Sequence, residues 1–196
     1  MPKIILLTHQ KGGVGKSTLT FNVAQNISSS SKVAVLDFDL QGSLSQLKKL
    51  VTDFDIIPYE EKLENISELE YDFIFIDTPP YLSNHLPKLI SIADLIIVPT
   101  KAGILDLLAI KSTLTIIEEE QRTNDTLIVF NMVKPNTTLT LDILIGLEEY
   151  NVKVAATHIS DLVSFTRSVL LSGVRTDRNA QRQIDQLTKE ILFKLI

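Results

Sequence analysis

Strand-length apolar runs alternate with segments of helical period along the whole chain, and this alternation restricts the possible folds more than any other feature. The runs are nearly unbroken in Val, Ile, Leu and Phe, as is typical of strands covered on both faces. They lie at 3–9, 33–38, 72–77, 95–99, 127–132 and 152–155. Helices are predicted at 16–30, 43–50, 84–93, 104–121, 138–150, 160–171 and 179–195. Strands and helices that alternate in this way form βαβ units, so we expect an α/β fold with a mostly parallel, twisted sheet between two layers of helices.

The chain length and the absence of dividing features predict one domain over residues 1–196. A chain of 196 residues is long enough for one sizeable core and too short for two ordinary domains. Within it, 53–58 could form a short edge strand, and the rest of 53–70 has no clear assignment. No apolar stretch approaches the roughly 18 residues of a membrane span, and no signal peptide is evident. We therefore expect a cytoplasmic protein without a transmembrane segment.

A glycine-rich loop, HQKGGVGKST at 9–18, joins the first strand to a helix. Its glycines let the backbone approach a phosphate, and its N–H groups and the helix N-terminus would surround one anion. Lys16 would bind the β- and γ-phosphate oxygens, and Ser17 would offer a hydroxyl to Mg²⁺. The usual G-x-x-x-x-G-K-[ST] pattern fails at Gln10, where the first glycine belongs. The residues predicted to bind nucleotide are Lys11, Gly12, Gly13, Val14, Gly15, Lys16, Ser17 and Thr18.

Carboxylates follow two of the predicted strands. Asp77 ends a buried strand and would hold Mg²⁺ by way of a water molecule, beside the phosphate loop. Asp37 and Asp39 alternate at the end of another strand and so share a face, which suggests metal or water handling. Asp39, at the strand's exit, is the better candidate to position an attacking water. The alternatives are that Asp77 caps the next helix, and that Asp39 or Ser43 is an N-cap.

Three motifs together resemble those of the deviant Walker ATPases of the ParA/MinD family: KGGVGKST at 11–18, D-x-D-x-Q-G at 37–42 and IDTPP at 76–80. Segments 93–99 and 129–133 also match later strands of that family, so the resemblance covers essentially the whole chain. It implies a P-loop NTPase fold, ATP with Mg²⁺, and slow, switch-like hydrolysis. Leu40 departs from the pattern, because the family usually has proline there.

The resemblance also implies roles for individual residues. Lys11 would reach across the interface of an ATP-dependent homodimer to the phosphates bound by the other subunit. This explains why the loop contains a second lysine, five residues before Lys16. Asp39 would align the attacking water, and Asn131 would contact adenine. Lys11, Lys16 and Asp39 are therefore the expected catalytic residues, and Ser17 and Asp77 the expected Mg²⁺ residues.

Within the family, the short ParA-type partition ATPases are the preferred match, because their chains also begin almost at the first strand. Their ATP dimers bind DNA non-specifically through basic C-terminal residues, and a ParB-type or adaptor protein stimulates hydrolysis. Such a protein would position plasmid, chromosomal or protein cargo and associate with the nucleoid in its ATP state. Residues 151–196 carry a net charge of +3, although the whole chain carries −5. The best DNA-binding candidates are Arg167, Arg175, Arg178 and Arg182.

A MinD-like ATPase that cycles on and off membranes is the alternative function. Its anchor would be an amphipathic helix at 183–196, in which Ile184, Leu187, Ile191 and Leu195 share one face. The same face could instead pack on the sheet as the last layer of the fold. Family members that ligate an iron–sulfur cluster between subunits are excluded because the chain has no cysteine.

Overall fold

The fold comes from a computed structural model that describes residues 1–39, 44–58, 65–81, 84–134 and 141–196, with the backbone alone for 141–144. Within those ranges the strands are β1 (Lys3–Leu7), β2 (Val33–Asp37), β3 (Asp55–Pro58), β4 (Phe73–Asp77), β5 (Leu95–Thr100), β6 (Thr126–Phe130) and β7 (Lys153–Val154). The α-helices are α1 (Lys16–Ile27), α2 (Leu86–Ile92), α3 (Ile104–Glu119), α4 (Leu141–Glu148), α5 (Val163–Arg167) and α6 (Arg178–Leu195). The predicted alternation of strands and helices is confirmed.

These strands form one seven-stranded sheet in the order β3-β2-β4-β1-β5-β6-β7, and every pairing in it is parallel. The carboxyl ends of all the strands therefore meet at one edge. Leu7 of β1 and Asp37 of β2 lie on either side of Asp77 in β4, in register with it. The sheet thus brings the loop after β1 and the two predicted carboxylates to the same place.

Successive side chains of each strand enter different halves of the core. In β1, Ile5 and Leu7 pack with residues of α1 and α6 on one face of the sheet. Ile4 and Leu6 pack with residues of α2, α3 and α4 on the other face. All four side chains are buried, which explains why the strand sequences are apolar throughout rather than alternating. The result is the expected three-layer arrangement.

One predicted helix, at 43–50, is wrong, and another, at 160–171, is too long. In place of the helix at 43–50, the described part of that segment contains only a 3-10 turn at Ser45–Leu47. The helix predicted at 160–171 is reduced to α5, because Ser160 pairs with Val133 in an isolated parallel bridge and the backbone is still extended at Leu162, with φ −113° and ψ 141°. Pairing with a distant part of the chain thus keeps the first residues of this segment out of a helix.

Two further assignments concern the edges of the sheet. The edge strand suggested at 53–58 is confirmed as β3, which pairs with β2. α4 falls within the helix predicted at 138–150, but 138–140 lie outside the described residues. The predicted boundaries of the remaining strands and helices agree with the structure to within a few residues.

The apolar face of α6 is buried in the protein. Ile184, Leu187 and Ile191 are at most 1% exposed and belong to the core on the α1 side of the sheet, and Leu195 packs at its margin. The helix therefore packs on the sheet as the last layer of the fold, which is the alternative to a membrane anchor. In this structure its apolar face is not available to a bilayer. In the parts of the chain that the structure describes, no helix is long and apolar enough to cross a membrane.

Asp177 caps the N-terminus of α6. Its carboxylate accepts hydrogen bonds from the backbone N–H groups of Asn179 and Ala180 at 2.9 and 3.1 Å, and from the Ser164 hydroxyl at 2.6 Å. The Ser164 hydrogen bond, followed by the bond from Ala180, holds the pKa of Asp177 below its usual value. The cap therefore also ties the start of α6 to α5.

We expect Asp177→Ala to lower the free energy of unfolding by about 1 kcal/mol, because the first turn of α6 loses its acceptor. Urea unfolding followed by circular dichroism measures this. Asp161→Ala is the control, since the Asp161 side chain is exposed and has no hydrogen bond to the residues that the structure describes. Equal losses in the two variants would contradict the capping role.

Candidate nucleotide-binding site

The glycine-rich loop leads directly from β1 into α1, as the sequence predicts. Gly13 and Gly15 have φ angles of +71° and +84°, in the left-handed region that favours glycine. Gly15 also lies against Asn131, whose side-chain Nδ2 donates to the carbonyl oxygen of Val14 at 2.8 Å. A Cβ atom on Gly15 would stand 2.4 Å from that Nδ2. The second half of the loop is therefore fixed to the end of β6.

Lys16 is the first residue of α1, and its side chain turns into the loop. It is 6% exposed, and its Nζ donates to the carbonyl oxygens of His9 at 3.1 Å and Lys11 at 3.4 Å. Burial lowers the pKa of Lys16, and the negative charges of Asp77 and Asp39 oppose that shift. A buried ammonium that donates only to neutral carbonyl oxygens is well placed to bind an anionic oxygen.

Asp77 is fully buried, and one of its carboxylate oxygens lacks a partner. Its Oδ1 is 3.4 Å from the Thr20 hydroxyl, but its Oδ2 has no hydrogen bond to any residue that the structure describes. Burial raises the pKa of Asp77 to about 7, while the Ser17 hydroxyl and the charge of Lys16 act in the opposite direction. An unpartnered carboxylate oxygen near a hydroxyl is a donor set that suits Mg²⁺, so the predicted metal residues fit that ion.

Asp37 organises the loop that follows β2. Its Oδ1 accepts the backbone N–H of Asp39 at 3.1 Å, and its Oδ2 accepts the N–H groups of Leu44 and Ser45 at 3.1 and 2.7 Å. The Ser45 hydroxyl also donates to Oδ2 at 2.8 Å. Both carboxylate oxygens therefore accept hydrogen bonds within the protein, and the suggestion that Asp37 handles metal or water stays a prediction.

Asp39 is half-buried just beyond β2, where Asp37 holds its backbone. Its charge raises the pKa of both Lys16 and Asp77, so its carboxylate lies within electrostatic range of the phosphate loop. This placement is compatible with the predicted role in water activation, which stays a prediction. Leu40, Gln41, Gly42 and Ser43 lie outside the described residues.

The loop after β4 lies against the phosphate loop. The hydroxyl of Thr78 donates to the carbonyl oxygen of Leu7 at 2.9 Å. Pro80 faces Gly12, and a Cβ atom there would be 3.6 Å from that of Pro80, an ordinary contact distance. A phosphate bound in the loop would therefore lie close to the segment that begins at Thr78.

Lys11 is the additional lysine of the loop, five residues before Lys16, and its side chain extends to α3. Its side chain is 38% exposed, and its Nζ forms an ion pair of 2.6 Å with Asp106 in the first turn of α3. Asp106 was not identified from the sequence. The two residues are 95 positions apart, and an acidic residue in a first helical turn is ordinarily explained by the helix dipole.

Asn131 and Thr18 line a small cleft beside the loop, together with residues 159–162. Asn131 is 4% exposed; besides the bond to Val14, its Oδ1 accepts the N–H of Met132 at 3.0 Å. Direct contact between Asn131 and adenine stays a prediction.

The four predicted DNA-binding arginines lie outside this site. Arg167 ends α5, Arg175 follows in the connection to α6, and Arg178 and Arg182 are one turn apart at the start of α6. All four side chains are exposed, and none forms an ion pair or hydrogen bond with any residue that the structure describes. They are free to contact an external anion, and their role in DNA binding stays a prediction.

Comparisons with known proteins agree with this fold. A family model described as the CobQ/CobB/MinD/ParA nucleotide binding domain matches residues 5–190. The chain is 25% identical over 212 aligned residues to the maintenance of carboxysome distribution protein A of Halothiobacillus neapolitanus, covering 96% of this chain and 95% of that protein.

Two solved structures have the same fold. A plasmid partition protein from Borrelia burgdorferi B31 bound to AMPPNP superposes with a TM-score of 0.77 at 21% identity, over 100% of both chains. Apo McdA from Cyanothece gives a TM-score of 0.79 at 16% identity, over 98% of this chain and 100% of that one. At such identities the structural similarity shows the fold alone.

Gly15→Ala tests the packing of the loop against Asn131. The new Cβ would clash with the Asn131 amide and occupy a left-handed conformation, which costs about 1–2 kcal/mol. We expect the unfolding temperature of the ligand-free protein to fall by at least about 2–4 °C, measured by differential scanning calorimetry. Gly12→Ala is the matched control, because its Cβ would meet only an ordinary contact. Equal unfolding temperatures for the two variants would refute this packing.

Proposed function

We propose, from the premise that this chain belongs to the CobQ/CobB/MinD/ParA nucleotide-binding domain family, that it is an ATPase that works as a positioning switch. Two protomers bind ATP and form a sandwich dimer, and the dimer binds DNA without sequence preference. A ParB-type or adaptor protein attached to the cargo stimulates hydrolysis, which returns the protein to monomers. The cargo is a plasmid, a chromosomal locus or a protein assembly.

The proposal rests first on two buried charged groups at the carboxyl edge of the sheet that lack a charged hydrogen-bond partner among the described residues. Lys16 donates there to two carbonyl oxygens, and Asp77 Oδ2 accepts no hydrogen bond from that part of the chain. Buried charges of this kind are costly unless a ligand completes them. A nucleoside triphosphate supplies anionic oxygens to Lys16. Mg²⁺, held by Ser17 and Asp77, would neutralise part of the phosphate charge.

Hydrolysis needs a group that orients water toward the γ-phosphate. Asp39 is the candidate, because its carboxylate is half-buried and lies within electrostatic range of Lys16. A carboxylate in this position can accept a hydrogen bond from the attacking water and hold it in line. Asp37 supports this arrangement by holding the backbone of Asp39 in place.

Dimerisation is proposed to depend on Lys11. The loop of one protomer already contains Lys16, so a second lysine contributes most when it compensates the charge of nucleotide bound by the other protomer. In such an arrangement the dimer is stable only while both sites hold triphosphate. Dimer formation then depends on ATP being bound in both protomers, and hydrolysis separates the dimer again.

The positioning role is inferred from the relatives. One is named for the distribution of carboxysomes and another is a plasmid partition protein. Both names describe the placement of a cargo rather than a metabolic reaction. The exposed arginines of α5 and α6 supply a surface for DNA phosphates, which carry no sequence information. This surface would retain the ATP dimer on the nucleoid.

Lys16→Ala should abolish nucleotide binding. The substitution removes the one buried cation in the described part of the loop, and the phosphates need that cation to bind. Titration with a fluorescent ATP analogue measures the dissociation constant. Lys88→Ala removes an exposed lysine of α2, far along the chain from the loop, and controls for net charge. Retained affinity in Lys16→Ala would refute the proposed phosphate site.

The DNA proposal is tested with Asp39→Ala protein, which should bind ATP without hydrolysing it. Fluorescence anisotropy of a random-sequence duplex should show binding with ATP but not with ADP, and the affinity should fall steeply with salt. Removing Arg178 and Arg182 should reduce the slope of log affinity against log salt by about one for each phosphate that these arginines bind. Lys88→Ala/Lys111→Ala is the charge-matched control. If the ATP dimer is confirmed but does not bind DNA, the proposed DNA-binding role is ruled out.

A further inference from the structure

The ion pair between Lys11 and Asp106, here called the cis pair, is the closest salt bridge found within the described residues. Its Nζ–Oδ1 distance is 2.6 Å, and the Asp106 side chain is only 13% exposed. In the proposed function, Lys11 contacts the nucleotide of a second protomer. In this structure it is already paired with a carboxylate of its own chain. The pair joins the phosphate loop to the first turn of α3.

The local structure holds Asp106 in this position. Its backbone N–H donates to the carbonyl oxygen of Gly103 at 3.0 Å, which forms the start of α3. A Cβ atom on residue 103 would lie 2.8 Å from Asp106 Oδ2, so glycine there leaves room for the carboxylate. The carboxylate is also stabilised by the positive end of the α3 dipole. The Asp106 carboxylate is thus held in position by contacts that do not involve Lys11.

The same helix also holds the backbone of the loop next to Lys11. Thr113, seven residues after Asp106 and so on the same side of α3, accepts the N–H of Gln10 at 3.2 Å. The buried ring of His9 accepts the N–H of Lys11 at its Nδ1, at 2.9 Å. Burial lowers the pKa of His9 to about 4, so this nitrogen stays an acceptor at neutral pH. Lys11 is therefore fixed through both its backbone and its side chain.

We propose that Asp106 is a positioning residue that holds Lys11 in the monomer and competes for it with the nucleotide bound by a second protomer. This inference rests on the proposed function, in which Lys11 acts across the dimer interface. The ammonium group must leave Asp106 when it moves to a phosphate of another chain. A triphosphate offers more negative charge than one carboxylate, so the exchange is favourable only when the second protomer holds ATP. The cis pair thereby raises the protein concentration at which dimers form.

Asp106→Asn tests the proposal, because it removes the charge while keeping the shape of the side chain. Sedimentation velocity with AMPPNP and Mg²⁺ measures the dimer dissociation constant. We expect it to fall by about five- to twentyfold, as for the removal of one partly exposed ion pair in each of two protomers. Asp106→Ala is the second variant, and thermal unfolding shows that each variant is folded. Asp94→Asn, which breaks the exposed pair with Lys3, is the charge-matched control and should leave the constant unchanged.

A mutant cycle shows whether Asp106 acts through Lys11. In a Lys11→Gln background, whose dimers the proposed function expects only at higher protein concentration, adding Asp106→Asn should not bring dimers to a lower concentration, because no ammonium is left to release. An equal decrease in both backgrounds would overturn the proposal, since Asp106 would then act on the interface by another route. An unchanged or increased constant in Asp106→Asn, with wild-type dimers present, would also overturn it but leave the proposed function intact. Wild-type protein that stays monomeric with AMPPNP at every concentration would overturn both.

Discussion

The parallel pairing of β4 with β1 on one side and with β2 on the other determines where the acidic groups of the candidate site lie relative to the phosphate loop. It places the Asp77 carboxylate between the loop that follows β1 and the loop that follows β2. Because all the described strands point the same way, the helix N-terminus at Lys16 also meets this edge. The site is therefore a consequence of sheet order, and residues more than 60 positions apart become neighbours without any local motif joining them.

The free protein holds its ligand-binding groups in an electrostatically unfavourable state. Burial raises the pKa of Asp77 to about 7 and lowers that of Lys16, so each group is less stable in its charged form than it would be in water. Asp37 shows the contrast, since the chain's own N–H and hydroxyl groups satisfy both of its oxygens. Natural proteins accept such local instability where a ligand will complete the site.

Much of the fold and the core of the site could be predicted from the sequence, because both depend on short-range patterns. Apolar runs covered on two faces predicted the strands, and the loop and strand ends predicted Lys16 and Asp77. Two of the failures involve contacts between distant parts of the chain. The pairing of Ser160 with Val133 keeps the chain extended as far as Leu162, within the segment predicted to be helical. The partner of Lys11 could not be found from spacing, because Asp106 belongs to another βα unit.

The bond from Asn131 to Val14 and the ion pair from Lys11 to Asp106 divide the phosphate loop into two mechanically different halves. The Gly15 half is pre-organised: it is close-packed on the end of β6 and loses little conformational entropy when phosphate binds. The Lys11 half is held through its backbone by Thr113 and the ring of His9, and its ammonium group is held separately by the ion pair with Asp106. Under the proposed function, substitutions in the Gly15 half would mainly change the affinity for nucleotide, and substitutions at the Lys11–Asp106 pair would mainly change the affinity for another protomer. Evolution could then adjust the lifetime of the proposed dimer separately from ATP binding.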